Sequence, residues 1–356
     1  MSYIKKYGTY SFNEAPFNEV DNAILCEISY VSYENIINTS EEYSIRELSN
    51  LYFKNYTEND IKKDKSLIAK SPLVLKEIAK TLRYKDIIMH HLVYSSSEVS
   101  RHQFAAMQFD LGDGTTYVSF RGTDDYILGW KEDFEMAYKK IKGYKYAKNY
   151  INFYCSPFKR YRVGGHSKGG ALAVYASTHC FNFKRRKIIE VYSNDGPGIK
   201  EEYIRNKMSL IADRYIKIVP ENDTIGIIFD DDYYHQVVKS NAIGFFQHDM
   251  LSWQIKDNHF IKTKSLSNSS LKLRNNFNKY IKTMKSEEII HVCDSLFNFL
   301  DYINITKVSD LFKLTIGDIP KIIKEVSTID SKTKKTIMNI IFVFFESNLP
   351  TISFFK

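Results

Sequence analysis

Apolar positions recur along the chain with two different periods, and the change from one to the other divides it. In residues 20–31, "VDNAILCEISYV", Val20, Ile24, Ile28 and Val31 fall at helical spacing, which predicts a helix with Asp21 as candidate N-cap. Further helices are predicted at 43–54 and 72–82, where Pro72 suits a first helical turn after Ser71. Residues 1–100 are therefore expected to form a helical lead-in packed on the core. From about residue 103 the period shortens: "QFAAMQFDLGDGTTYVSFRGT" predicts strands over 104–109 and 116–120, turned at Gly112-Asp113-Gly114. Short β-rich runs then alternate with helical ones: 161–164, a helix from Ser167, 187–192, a helix near 200–210, 215–219 and 234–238. This alternation predicts an α/β core over 101–262, a mainly parallel sheet with helices on both faces. After the polar "KTKSLSNSS" the region 263–356 returns to helical spacing. Its two stripes, Leu273, Phe277, Tyr280, Ile281 and Met284, then Ile289, Val292, Cys293, Leu296, Leu300 and Ile303, are expected to pack and to carry no chemistry.

Composition narrows the classes. An apolar content of 44% over 356 residues supports a substantial core. The net charge of +8 comes from cations scattered among acids, which favours a lysine-rich solvated surface over a nucleic-acid site. The stretch 137–154, "AYKKIKGYKYAKNYINFY", reads as an amphipathic helix and loop with its aromatic face on the sheet, the alternative being a surface that docks on an anionic membrane or a nucleic acid. Of these partners only a weak anionic membrane contact is retained; no nucleic acid is expected. Cys26, Cys155, Cys180 and Cys293 form no C-x-x-C pair, so neither a zinc site nor a disulfide framework is indicated and a reduced, cytoplasmic setting is expected. The first residues carry no signal-peptide pattern. The longest apolar run, Ile340 to Phe345, falls far short of the roughly 20 residues of a membrane-spanning helix. No H-E-x-x-H or G-x-x-x-x-G-K motif occurs, and no metal or cofactor is expected.

The candidate chemistry centres on "RVGGHSKGGALAVYA", residues 162–176, where four of the chain's 15 glycines surround one serine. Gly165-His166-Ser167-Lys168-Gly169 is G-x-S-x-G with a strand before it and a helix after it, the setting of a nucleophile elbow. The serine of such an elbow takes a strained backbone conformation, and side chains two positions away on either side would clash. A serine nucleophile needs a base, and the base needs an acid to hold its tautomer. Both are expected on loops after later strands. Asp223, after "RYIKIVP", is the best placed acid, with Asp195 in "YSNDGPGI" its rival; Asp230 to Asp232 read as a solvated acidic run. His248 in "GFFQHDMLSW" is the favoured base, with His235 next, while His166 reads as a structural histidine pointing elsewhere. Oxyanion donors are expected from the Lys168 amide and from Arg121-Gly122-Thr123, with Thr123 adding its hydroxyl.

"FRGT", Trp130 and Asp133 in "GWKEDF", "GGHSKGGALA", "ENDTI" and "QHDMLSW" resemble, in order, the motifs of class 3 lipases, which are α/β-hydrolases that cleave acyl esters. "FNEVD", "QFAAMQF", "FRGTDD", "GHSKGGALA", "NDGPG" and "QHD" with "SWQ" are similar to the bacterial Mbeg-like branch of that family, whose members are cytoplasmic; the likeness spans about residues 10–310. The resemblance implies an α/β-hydrolase fold with Ser167 as nucleophile, Asp223 as acid, His248 as base, and Thr123 with the Lys168 amide as oxyanion donors. It departs from the lipase pattern at Lys168, a position that is apolar in those lipases. A cation there either meets an anionic substrate group or forms a surface ion pair, and the ion pair is the favoured expectation. The leading expectation is a serine hydrolase of carboxylic esters; the alternative is a hydrolase-fold binding module for anionic lipid surfaces or a partner protein.

Overall fold

The computed structural model describes residues 2–311 apart from 65, 67, 98–101, 137, 205 and 229–234, together with 331 and 334. The apolar run 340–345, the acidic run 230–232 and the side chains of 277, 280 and 281 lie outside the described residues.

Among the described residues an eight-stranded sheet runs in chain order: β1 (Tyr43–Ser44), β2 (Ile88–Ser97), β3 (His102–Asp110), β4 (Thr115–Phe120), β5 (Arg160–His166), β6 (Ile188–Asn194), β7 (Tyr215–Pro220) and β8 (His235–Val238). Strands β1 to β4 pair antiparallel, and β4 to β8 pair parallel. The hairpin between β3 and β4 turns where expected, with Gly112 at φ 81° and Gly114 at φ 82°. The lead-in holds helices α1 (Ser2–Tyr7), α2 (Glu19–Ile28), α3 (Ile45–Asn55), α4 (Glu58–Lys63) and α5 (Ser71–Ile78), with Pro72 in the first turn of α5. Three details differ from the sequence expectation. β2 is a strand that the sequence does not announce, because a register shift between His90 and Val93, with His91 at φ 51°, breaks its alternation. The cap of α2 is Asn18, and Asp21 sits at its third position, its carboxylate closing the capping box and receiving the buried Arg83 guanidinium at 2.6 and 2.8 Å. The helix expected near 200–210 is reduced to α10 (Glu201–Ile204) and a single 3₁₀ turn.

Strand alternation sends side chains to two layers. Met107, Phe109, Tyr117 and Tyr192 join α2 and α5 on one face. Phe104, Ala106, Val118, Phe120, Val163 and Val191 join α7 (Lys142–Tyr154) and α8 (Lys168–His179) on the other. Between β4 and β5 lie α6 (Ile127–Glu135) and α7; α9 (Asn182–Arg185) precedes β6; and a small hairpin, β9 (Ile255–Lys256) with β10 (His259–Phe260), follows β8. The tail forms α11 (Asn268–Thr283), α12 (Ser286–Tyr302) and α13 (Val308–Leu311). Leu296, Phe297, Phe299 and Leu300 of α12 pack on Trp130 and Phe245, so the second apolar stripe is a packing surface as expected. A mostly parallel sheet, helices on both faces and a strand-serine-helix elbow together make this an α/β-hydrolase fold. No helix among the described residues is long and apolar enough to cross a membrane.

Candidate active site

The parallel register aligns the carboxyl ends of the central strands: Phe120 opposite Gly165, His166 opposite Asn194, Asn194 opposite Ile218 and Pro220 opposite Val238. The loops that follow converge at one rim, the place where open α/β sheets hold their sites. Ser167 stands there between β5 and α8, at φ 57° and ψ −132°, a strained conformation for a residue with a side chain. The glycine pattern has a steric cause. A Cβ on Gly169 would lie 2.1 Å from the Phe120 carbonyl oxygen, and one on Gly122 would lie 2.5 Å from the His166 carbonyl oxygen and 3.2 Å from Ser167 Cβ. The Arg121-Gly122-Thr123 loop therefore lies directly against the serine.

His248 closes the 3₁₀ turn Gly244–His248 that follows β8. Its Nδ1 is 2.6 Å from Asp195 Oδ2, with both side chains buried. Donation from Nδ1 to the carboxylate leaves Nε2 as the ring's acceptor, the form a general base requires. Burial pushes the imidazole below its ordinary range and keeps it neutral. The loop carrying this ring is fixed by His166, whose Nε2 donates to the His248 carbonyl at 2.8 Å while its Nδ1 accepts from the Tyr30 hydroxyl at 2.8 Å. His166 is thus a satisfied structural residue, and its partner Tyr30, just beyond α2, carries no signal in the sequence pattern. His235 sits at the amino end of β8, opposite Lys217, at the far edge of the sheet from Ser167.

The acid is where the structure departs from the sequence ranking. Asp223, placed first, does not touch His248; Asp195, the rival, does. The reason is local. Asp223 Oδ1 turns back to accept the amides of Ile225 at 2.9 Å and Gly226 at 2.8 Å, and the Gly226 amide is also 3.2 Å from Asp195 Oδ1. Asp195, one residue past β6 at φ 46° and tied by its amide to the Ile218 carbonyl, projects between Asp223 and the ring. Two carboxyls this close in a dry interior cannot both ionise. Asp223 Oδ2 is buried with no ordinary donor facing it, so it is satisfied only when a proton lies between the pair. Burial and the Asp195 charge raise Asp223 well above its usual value, and burial lifts Asp195 to about 7 against the hydrogen bond from Asp223. The proton therefore resides on Asp223, which donates to Asp195.

On the other side of the serine, the Thr123 hydroxyl donates to Asp133 Oδ2 at 2.7 Å. Lys168 Nζ reaches Glu132 Oε2 at 3.0 Å and Asp133 Oδ1 at 3.3 Å. The expected surface ion pair is instead a buried one, because α6 lays two successive acids over the first turn of α8; the side chains of Lys168 and Glu132 are 0% and 1% exposed. Burial works against the lysine's charge, yet Asp133 and Glu132 outweigh it and its pKa is raised. Asp133 is raised to about 6 by burial, with Lys168 and the Thr123 hydroxyl opposing. A cation neutralised in this way offers nothing to an anionic substrate. The Lys168 amide, at the first position of α8, has no acceptor within the helix and points from its amino end.

Phe245 supplies an apolar wall beside the base, its ring 6.0 Å from that of His248 and 6.0 Å from that of Trp130. The tail reinforces the wall. Asp125 accepts from the Ser309 amide at 3.0 Å and hydroxyl at 2.5 Å, and the Ile127 amide donates to the Thr306 carbonyl at 3.0 Å. Residues 306–309 are strapped to the loop that holds Thr123, a link that nothing in the sequence pattern signalled.

Solved structures similar to the chain include the Rhizomucor miehei lipase in its propeptide complex, at 15% identity over 42% of this chain and 57% of that one with a TM-score of 0.29. Lip2 lipase from Yarrowia lipolytica matches at 14% identity over 53% and 74%, with a TM-score of 0.33. The lipase of Rhizopus microsporus var. chinensis matches at 17% identity over 68% and 89%, with a TM-score of 0.34. The chain thus spans little over half the length of the first of these lipases, and overlaps of this extent say nothing about chemistry. No curated protein sequence matches the chain. The family model described as Mbeg1-like matches residues 78–298, more than half of the sequence, and the chain belongs to the Mbeg1-like family.

Proposed function

We propose that the protein is a serine hydrolase that cleaves carboxylic esters through an acyl-enzyme, with Ser167 as nucleophile, His248 as base and Asp195 as the acid that holds it. The single observation that carries this reading is the 2.6 Å contact between His248 Nδ1 and Asp195, on a loop that His166, the neighbour of the strained-elbow Ser167, holds through the His248 carbonyl. His248 Nε2 takes the serine proton as Oγ attacks the ester carbonyl, then returns it to the departing alcohol; water repeats the sequence to release the acid. The developing oxyanion is met by the amides of Lys168 and Thr123. With its proton committed to Asp133, the Thr123 hydroxyl positions this loop rather than donating to the oxyanion. Asp223, carrying the shared proton, takes the part of a positioning residue that steadies the ionised Asp195 and is itself no partner of His248.

The apolar wall of Phe245 and Trp130, together with the neutralised Lys168, supports an uncharged, apolar acyl or alcohol group in the substrate. The cysteines Cys26, Cys155, Cys180 and Cys293 are free and buried, which supports a reducing, cytoplasmic setting. The experiment is labelling by a fluorophosphonate probe followed by a panel of nitrophenyl esters. Wild type labels and turns over, while Ser167→Ala does neither. A wild-type protein that neither labels nor hydrolyses any ester in the panel sinks the reading.

A further inference from the structure

Two segments without an acidic residue, "YINFYCSPFKRYR" at 150–162 and "CFNFKRRKII" at 180–189, meet at the amino ends of β5 and β6. The Phe181 amide donates to Asn152 Oδ1 at 2.8 Å, the Lys184 ammonium donates to the Cys155 carbonyl, and the Tyr161 amide donates to the Lys187 carbonyl at 2.8 Å. They therefore form one continuous surface. On it Phe153 is 71% exposed, Phe158 91% and Phe183 54%, with Phe181 stacked on Phe183 at 5.7 Å. Arg160 and Arg186 are exposed among these rings and meet no carboxylate among the described residues. Acids on the nearby strands β3 and β6 are already engaged, Asp110 by Lys159 and Glu190 by Arg162. The fold has no need of these outward rings, since α7 buries its other side through Tyr144, Tyr150 and Ile151. Grouped phenyl rings left in water beside unpaired guanidinium groups mark a surface awaiting a partner.

We propose that this patch docks the protein on an anionic membrane surface. Phenyl rings partition into the headgroup boundary, while arginines beside them are drawn to acidic lipid, so a bilayer takes up both kinds of side chain at once. Bases of a single-stranded nucleic acid stack on exposed rings as well, but here the most exposed side chains are the phenyl rings of Phe153 and Phe158, an apolar-led surface that suits the headgroup boundary, and RNA is the competing outcome of the test. The patch lies at the opposite end of β5 from Ser167, roughly 20 Å away for a strand of this length. Docking therefore turns the candidate active site away from the bilayer, toward substrate arriving from water. It is independent of the hydrolase reading.

The test is flotation of the full chain with vesicles of phosphatidylcholine alone and of phosphatidylcholine with phosphatidylglycerol. The protein floats with the acidic vesicles only, and the binding weakens as salt shortens the Debye length. Arg160→Ala with Arg186→Ala lowers partitioning about 30-fold at low salt. Phe158→Ala with Phe183→Ala lowers it about tenfold at every salt concentration. Ser167→Ala floats like wild type, and circular dichroism like that of wild type shows that the surface variants are folded. Equal flotation with neutral and acidic vesicles, no loss in either double variant, or preference for an RNA oligonucleotide over acidic vesicles overturns the proposal.

Discussion

His248 Nδ1 lies 2.6 Å from Asp195 Oδ2, and Asp223 stands one carboxyl further from the ring, sharing the Gly226 amide with Asp195. The row imidazole, carboxylate, carboxylic acid gives the two aspartates opposite sensitivities to the same substitution. Asp195→Asn presents an amide to Nδ1, favours the wrong tautomer and lowers ester kcat by about 10⁴-fold. Asp223→Asn still offers an N–H to Asp195 and changes kcat by no more than about threefold. Steady-state kinetics of the two variants decides it: the reverse ranking makes Asp223 the acid and dissolves the positioning role.

The same pair sets a pH limb. The proposed mechanism needs Asp195 ionised, and burial lifts its carboxyl to about 7, so kcat/KM is expected to fall as pH drops through that value. The hydrogen bond from Asp223 favours the ionised form of Asp195. Asp223→Ala removes that donor and moves the limb to higher pH, whereas Asp223→Asn leaves it in place. A limb that does not move in the alanine variant shows that Asp223 has only a packing role.

Much of this was legible in the chain, and the gaps have physical causes. The elbow is readable because no side chain fits where Gly169 meets the Phe120 carbonyl, so sterics write themselves into composition. The alternation of short strands with helices is equally visible, since a parallel sheet needs a crossover for each pair. What periodicity cannot carry is which of two neighbouring loops turns its carboxylate toward a histidine. Asp195 and Asp223 both follow strands that end at the same rim, and the choice rests on the left-handed backbone of the one and the turn amides captured by the other. The sequence pattern points Lys168 to the surface for a related reason. Its partners Glu132 and Asp133 lie more than 30 positions earlier, and only the packing of α6 over α8 brings them to it.

That buried triad makes Lys168 structurally expensive to replace. Lys168→Met strands Glu132 and Asp133 without a counter-charge and lowers unfolding free energy by about 3–5 kcal/mol, against less than about 1 for an exposed pair. Adding Glu132→Gln and Asp133→Asn restores most of the loss, because an uncharged cluster no longer needs the ammonium. Urea unfolding of the single and triple variants measures both changes. A single variant as stable as wild type contradicts the buried pair.

Glu27 predicts a stability that depends on pH with a definite sign. Burial, reinforced by the charge of Asp249, raises its carboxyl to about 8 while the Ser71 hydroxyl donates to Oε1 at 2.7 Å. The native state keeps this proton up to about pH 8, whereas the unfolded chain loses it near the ordinary carboxyl value of 4.5. The contribution of Glu27 to stability therefore declines as pH climbs through that window. Glu27→Gln keeps an acceptor for Ser71 and cannot ionise, so its melting temperature matches wild type near pH 4.5 and exceeds it by at least about 2 °C near pH 8. Thermal melts at the two pH values check it, and a constant difference between the proteins rules it out.

The apolar wall beside the base bears on the choice of substrate. Phe245 is 1% exposed, contacts His248 on one side and Trp130 on the other, and backs onto Leu296 and Leu300 of α12. An acyl group seated against it loses contact area when the ring is removed, and the loss grows with the apolar surface that the group presents. Phe245→Ala therefore lowers kcat/KM for a butyrate or hexanoate ester by about tenfold and leaves the acetate ester within about twofold. Fluorophosphonate labelling is retained, because Ser167, His248 and Asp195 are untouched. Trp130→Ala repeats the pattern only if both rings line one channel. An equal fall for acetate and hexanoate places Phe245 in the support of His248 alone, and the acyl group must then lie elsewhere on the rim.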